Sequence, residues 1–462
     1  MNENDLEWGK IIKTLENEEK YDDLWAMVFQ TPPNWSYQIF KTLTKAGYHP
    51  PKSDDALWNE LNSHPYQETL QLKNTIEHRD GVRCLDFSPD SRFLATGNKD
   101  GQVKLIDVKT FQVKAEFQHK NVVECLDFSE DGRFLATGGR DGVINVLDMI
   151  SCEIIRKMYR KWVLCLEFSP DARFLATGGW GEVVELMDLE TFQLIMEIKH
   201  RKGVLCLGFS GDGRFLATGG GDGMVKIMDL TTFRMVGEIK HQKGVLCLGF
   251  SGDGRFLATG GRDGMVKIMD LESFKLVKQV IHENWVRCMD FSPNSRLMAT
   301  GDWDNIVKVM DLASFKLIGK LKHENWVKCL RFSPDSRLLA AGGWDRTVRV
   351  VDGENFHLVK DIKHQNTVEC LNFSQDGRFL ATGSEDHKVK ILEIVFNAPI
   401  ATATSDHLKK VQSMMKAKGL TTREIDALKF IETLIWGKLR SDVLIEEVNP
   451  AIENKDVIIE VR

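Results

Sequence analysis

No stretch of this chain holds the roughly 18 consecutive apolar residues that a helix needs to cross a bilayer. The opening ten residues, MNENDLEWGK, are polar and charged, so no secretory signal is expected there and a cytoplasmic location is. Charge of one sign is also missing: 61 basic residues stand against 67 acidic ones, for a net charge of −6. That balance gives no whole-chain field for nucleic acid or an anionic membrane. The composition is that of an ordinary folded protein, 42% hydrophobic and 28% charged over 462 residues. Length alone predicts about three folding units.

The motifs of catalysis and metal binding are absent as well. Gly219-Gly220-Gly221 looks like a phosphate-cradling loop, but no Gly-Lys-Ser/Thr follows it. His282-Glu283 and His323-Glu324 begin like H-E-x-x-H and lack the second histidine. There is no G-x-S-x-G elbow. None of the nine cysteines has a C-x-x-C neighbour, which excludes the paired spacing of a zinc site. The expectation is a protein without catalytic residues, metal or cofactor.

What the cysteines do have is a period. Cys84, Cys125, Cys165, Cys206, Cys247, Cys288, Cys329 and Cys370 are 41 residues apart, with a single interval of 40. Cys152 lies out of register. One cysteine per period marks a position inside a repeated element, so all nine are expected to be reduced and structural. Residues 241–281 show the unit best: His241, then the β-rich runs GVLCLGF, RFLATGG, MVKIMDL and FKLVKQVI. Asp253-Gly254 and Asp263-Gly264 separate the first three runs and are hairpin signals. Strands this short must stack on neighbouring copies to bury their faces.

The pattern of a histidine, V-x-C-L-x-F-S-x-D-G/S-R-F-L-A-T-G, Asp-Gly and a hydrophobic-Asp dipeptide occurs eight times and resembles the WD40 repeat. The resemblance runs over about residues 70–394. It implies an all-β, eight-bladed WD40-type β-propeller, each blade a four-stranded antiparallel sheet around a channel. The strand Leu70–Glu77 precedes the first complete repeat and is expected to close the ring beside Val389–Ile394, removing an exposed edge. Of the family's buried tetrad, His241, Thr259 and Asp263 match the histidine, threonine and aspartate. The tryptophan is replaced throughout, by Ile106, Leu147, Met187, Met228, Met269, Met310, Val351 and Leu392. Repeat 3 departs further, with Tyr159 at the histidine and Gly181 at the aspartate, which leaves the order of blade 3 open. Repeat 7 has Ala341 at the threonine.

Repeats 4 and 5 agree at 31 of 41 positions, so functional information should lie where the repeats differ. Three columns vary most, and in the family all three face the narrow upper rim used for partner binding. Three residues before each cysteine stand Gly81, Val122, Trp162, Gly203, Gly244, Trp285, Trp326 and Thr367. One residue before it stand Arg83, Glu124, Leu164, Leu205, Leu246, Arg287, Lys328 and Glu369. Before the turn aspartate stand Lys99, Arg140, Trp180, Gly221, Arg262, Trp303, Trp344 and Glu385. Tryptophan with arginine is the composition of a binding hot spot. The expected partner-binding residues are therefore Trp162, Trp180, Trp285, Arg287, Trp303, Trp326, Lys328 and Trp344. The competing reading is that these indoles pack on neighbouring loops. Mixed charge in the columns favours a polypeptide over nucleic acid.

The ends read differently. Residues 1–66 have the pattern of a small helical module, residues 67–396 are the propeller, and residues 397–462 read as a linker, two helices and short strands. The whole suggests a non-catalytic scaffold or adaptor that binds protein partners through its upper rim and terminal helices. The alternative is a regulatory or sensory subunit that recognises a small ligand or modified peptide and signals to an effector.

Overall fold

The computed structural model describes residues 67–397, together with Tyr21, Asp22, Leu43 and Tyr48. Each period folds into one four-stranded antiparallel blade, and the described residues form eight of them. Blade 5 is built from Val245–Phe250, Phe256–Gly261, Met265–Asp270 and Lys275–Ile281, in that order from the inside outward. The second strand is buried at all six positions, because both of its faces lie against neighbouring blades. The outermost strand is mostly exposed and carries the polar residues. The core is thus divided among the interfaces. Phe215, Ala217, Val225 and Ile227 of blade 4, for example, pack with Val245, Leu257 and Met269 of blade 5.

This packing accounts for the cysteine and glycine columns. A Cβ on Gly260 would lie 2.7 Å from Val286 Cγ1 of the next blade and 2.8 Å from Cys247 Sγ. Only a hydrogen atom fits there, and the small cysteine fills what remains. All nine cysteines are free, and burial pushes the thiols of the eight periodic ones well above the usual range.

The ring closes as the repeat count predicts. Blade 8 consists of Val368–Phe373, Phe379–Ser384 and Lys388–Asn397, with the N-terminal strand Gln67–Glu77 hydrogen-bonded at its outer edge. Across the join with blade 1, Asn372 Nδ2 donates to Asp86 Oδ1 at 2.6 Å and Asp376 N donates to Ser91 Oγ at 2.9 Å. Seven blades would have left one repeat without a place.

A buried brace ties upper loops to their blades, complete in blades 2, 4, 5 and 8. In blade 5, His241 Nε2 meets Thr259 Oγ1 at 2.9 Å and Nδ1 meets Asp263 at 3.1 Å. Asp263 Oδ2 also accepts the backbone N–H of Gln242. Burial holds His119, His200, His241 and His364 below the ordinary imidazole value despite their aspartates, and pushes His78 down to about 4. Blade 7 has the incomplete brace that Ala341 implies: His323 Nδ1 bonds Asp345 at 2.9 Å, and its buried Nε2 has no partner. Blade 6 departs unexpectedly. Its histidine, His282, pairs with Asp302 rather than with the turn residue Asp304. Asp302 stands where blade 5 has Gly261, and a Cβ at Gly261 would lie 2.8 Å from the imidazole, so a carboxylate there reaches the ring directly.

Blade 3 is a complete four-stranded sheet, Val163–Phe168 to Leu194–Lys199. The residue in the histidine's place is Arg160, not Tyr159. Tyr159 pairs with Val143 as Ile281 pairs with Met265, whereas Arg160 N bonds Gly142 O as His282 N bonds Gly264 O. The missing residue therefore comes from the loop, where Trp162 takes a left-handed φ of 32°. Arg160 forms an ion pair with Glu185, which stands where blades 4 and 5 carry Lys226 and Lys267. Without the imidazole and the aspartate, a cavity of about 220 Å³ remains, lined in part by Arg160, Thr177, Gly181 and Glu185.

By internal contacts the chain divides into Leu70–Ile394 and a second unit of Met1–Thr69 with Val395–Arg462. In that second unit, Tyr21, Asp22 and Leu43 are helical, and Tyr48 Oη donates to Asp22 Oδ1 at 2.6 Å. The remaining helices and strands expected at the two ends lie outside the described residues.

Candidate functional site

The three variable columns meet at one end of the ring, and the backbone shows how. Within each blade the third column is tied to the first. Trp303 N donates to Trp285 O at 3.1 Å, Trp344 N to Trp326 O at 2.9 Å, and Gly221 N to Gly203 O at 2.8 Å. The second column coincides with a β-bulge. Val245 pairs with Gly261 and Cys247 with Gly260, so Leu246 is the extra residue, and the same slip recurs at Arg83, Glu124, Leu164, Leu205, Arg287, Lys328 and Glu369. A bulge re-aims its side chain, and here it turns eight side chains toward the channel mouth.

At that mouth the charges form a chain. Lys328 and Arg83 both pair with Glu369, Arg83 Nε donates to Glu124 at 2.9 Å, and Glu124 also accepts from Arg140. Arg83 and Arg140 hold Glu124 below the usual carboxylate range despite burial. In blades 3–5 the same bulge position holds Leu164, Leu205 and Leu246. Lys328 is thus occupied within the protein, while Arg287 has no hydrogen-bond or ion-pair partner among the described residues.

The indoles of blades 6 and 7 stand together, as their columns predict. Arg262 lies 4.8 Å over Trp285; Trp285 stacks on Trp303 at 4.3 Å and Trp303 on Trp326 at 4.3 Å with planes 4° apart; Trp344 follows at 4.8 Å. Their faces are largely spent on one another, and Trp285, Trp303 and Trp326 are half-buried. Trp344 ends the stack at 47% exposure. Trp162 and Trp180 form a separate edge-to-face pair at 5.5 Å, with Arg140 over Trp162. They are 46% and 60% exposed.

Deeper in the channel lies a ring that the three rim columns do not include. Two residues after the cysteines stand Asp86, Asp127, Glu167, Asp290, Arg331 and Asn372. Asp127 accepts Phe168 N, Glu167 accepts Phe209 N and Asp290 accepts Phe332 N, each from the next blade. Burial pushes Asp86 up to about 6 and Glu167 up to about 7, and raises Asp127 well above the usual range. The signal was available in the sequence, since this column has the same period as the cysteines.

Comparison with known proteins bears on the fold. The WD domain, G-beta repeat model matches residues 192–229, 233–270, 274–311, 315–352 and 357–392. A cytochrome D1 heme domain model matches residues 88–205. The histidines of that span, His119 and His200, have fully buried side chains with both ring nitrogens engaged, by Asp141 and Thr137 and by Asp222 and Thr218. Neither is offered to a haem iron. Among solved structures, the computationally designed Ika8 protein is similar, with a TM-score of 0.62 at 24% identity over 69% of this chain and 98% of that one. That likeness concerns the fold alone. No curated protein matches the chain. Five matched repeats inside a closed ring of eight blades support a WD40-repeat β-propeller.

Proposed function

We propose that this propeller is a non-catalytic scaffold that binds one or more protein partners on its upper rim, in the cytoplasm, with the terminal segments attaching or positioning a further component. The observation that carries the reading is the exposure of Trp162 and Trp180, at 46% and 60%, beside a rim whose backbone is fixed by hydrogen bonds. Large aromatic surface held rigidly in water loses little entropy on binding and gains much by being covered. Trp344 adds a third open indole at the end of the stack. The WD40 fold supports the same conclusion by analogy, since such propellers commonly serve as interaction platforms.

Affinity capture from native extract tests this, comparing the intact protein with a folded variant in which Trp162, Trp180 and Trp344 are alanine. A partner that disappears with the three indoles supports rim docking. Retention of every partner by that variant rejects it and transfers attention to the terminal segments.

A further inference from the structure

We propose that the sector of the upper rim over blades 3–5 is a docking groove for an acidic polypeptide segment that brings a large apolar side chain. This deepens the rim-binding reading and rests on it. Around the rim the order runs Trp162, Trp180, Gly203, Gly221, Gly244 and Arg262. A Cβ on Gly203 would lie 3.3 Å from Trp180 Cα, and one on Gly244 would lie 3.2 Å from Gly221 Cα, so these positions are adjacent. In the equivalent columns blades 6 and 7 raise four indoles, whereas Gly203, Gly221 and Gly244 of blades 4 and 5 offer bare backbone. The result is a low floor, with the exposed Trp162–Trp180 pair as one wall and Arg262 on Trp285 as the other.

Charge specifies the occupant. The loops entering the inner strands of blades 3–5 carry Lys161, Arg201, Lys202 and Lys243, all exposed, with no side-chain ion pair among the described residues. The same loops in blades 6–8 carry Glu283, Glu324 and Gln365. The aspartates of the basic sector are turned inward, Asp222 to His200 and Asp263 to His241, and each also accepts a backbone N–H. Glu182 is the one exposed acidic side chain in the upper loops of these three blades. An acidic chain therefore meets stronger attraction over blades 3–5 than over blades 6 and 7, where the exposed Glu283 and Glu324 oppose it, and this difference favours the basic sector.

The test is a titration of the full chain with a fluorescein-labelled glutamate-rich peptide holding one central phenylalanine, and with its lysine-rich counterpart. The acidic peptide should bind at least about tenfold tighter, and its affinity should fall with added salt. Lys202→Glu with Lys243→Glu should weaken it about tenfold or more. Gly221→Trp, which raises the floor without altering charge, should weaken it comparably, whereas Trp326→Ala should not. Equal binding of the two peptides overturns the proposal. So does sensitivity to the charge reversals with none to Gly221→Trp, because attraction would then be diffuse. If the acidic peptide fails while a captured partner still depends on Trp162, Trp180 and Trp344, this inference falls and rim binding stands. If capture is also independent of the indoles, both fall.

Discussion

The buried brace and the rim above it are made by the same loops, yet they obey opposite rules. In blade 5, Asp263 is tied to His241 and to backbone N–H groups, while its neighbour Arg262 reaches across to Trp285. One residue fixes the loop and the next is displayed by it. Blades 4 and 5 keep the brace with glycine on the rim, and blade 6 keeps a brace with two tryptophans. Backbone bonds between the first and third columns persist in all three, so rim chemistry changes without moving the scaffold. Substitution in the brace should cost stability, and substitution on the rim should cost binding.

The sharpest way to break this contrast is His241→Ala. It leaves Thr259 and Asp263 buried without their partner and should cost about 3 kcal/mol in urea unfolding. Tyr159→Ala, at a side chain that is 71% exposed, should cost under about 0.5 kcal/mol. Equal losses would show that the brace has no special role. Trp303 is the intermediate case, since it sits on the rim but is sandwiched between two indoles. Trp303→Ala should cost about 2 kcal/mol and remove the coupled indole signal from the near-ultraviolet circular dichroism.

A fourth variant separates burial of charge from burial of neutral histidine. Glu167 is raised to about 7, so the folded protein holds a proton there more readily than the unfolded chain does. Its charge therefore destabilises the fold at high pH, and the penalty fades as pH falls through 7 toward the ordinary carboxylate value. Glu167→Gln should stabilise by about 1 kcal/mol at pH 8 and have no effect near pH 4.5. His78 has the reverse sign. It is pushed down to about 4, so between 6.5 and 4 the unfolded chain binds the proton and stability falls with pH. A Glu167→Gln gain that persists unchanged at pH 4.5 would refute the assignment. A last variant sharpens the comparison by repair: Ala341→Thr offers His323 Nε2 its missing partner and should add about 1 kcal/mol.

Much of this was legible in the sequence because the repeat reports position directly. The eight blades, the cysteine column and the closing strand follow from one period and the need to pair an edge. The His241–Thr259–Asp263 brace follows from the family pattern. What was not legible involves side chains that reach sideways. Asp302 displaces Asp304 because it starts closer to the imidazole, which spacing alone does not reveal. Arg160 takes the histidine's place because the deletion falls in the loop rather than in the strand, and strand register decides that. The adjacency of the rim indoles could be read from their columns, but not the face-to-face stacking that leaves Trp162, Trp180 and Trp344 as the open ones. The occupied state of Lys328 was hidden too, since its partner Glu369 lies 41 positions away.

The join in blade 8 has a consequence for the order of events during synthesis. The strand Gln67–Glu77 is among the first parts of the propeller to leave the ribosome, but its neighbour Lys388–Asn397 is among the last. Until then, seven finished sheets must wait as an open arc with both interior flanks uncovered. Circular permutants that start between blades would place the join inside a continuous sheet, and their yield on refolding would report how much that wait costs.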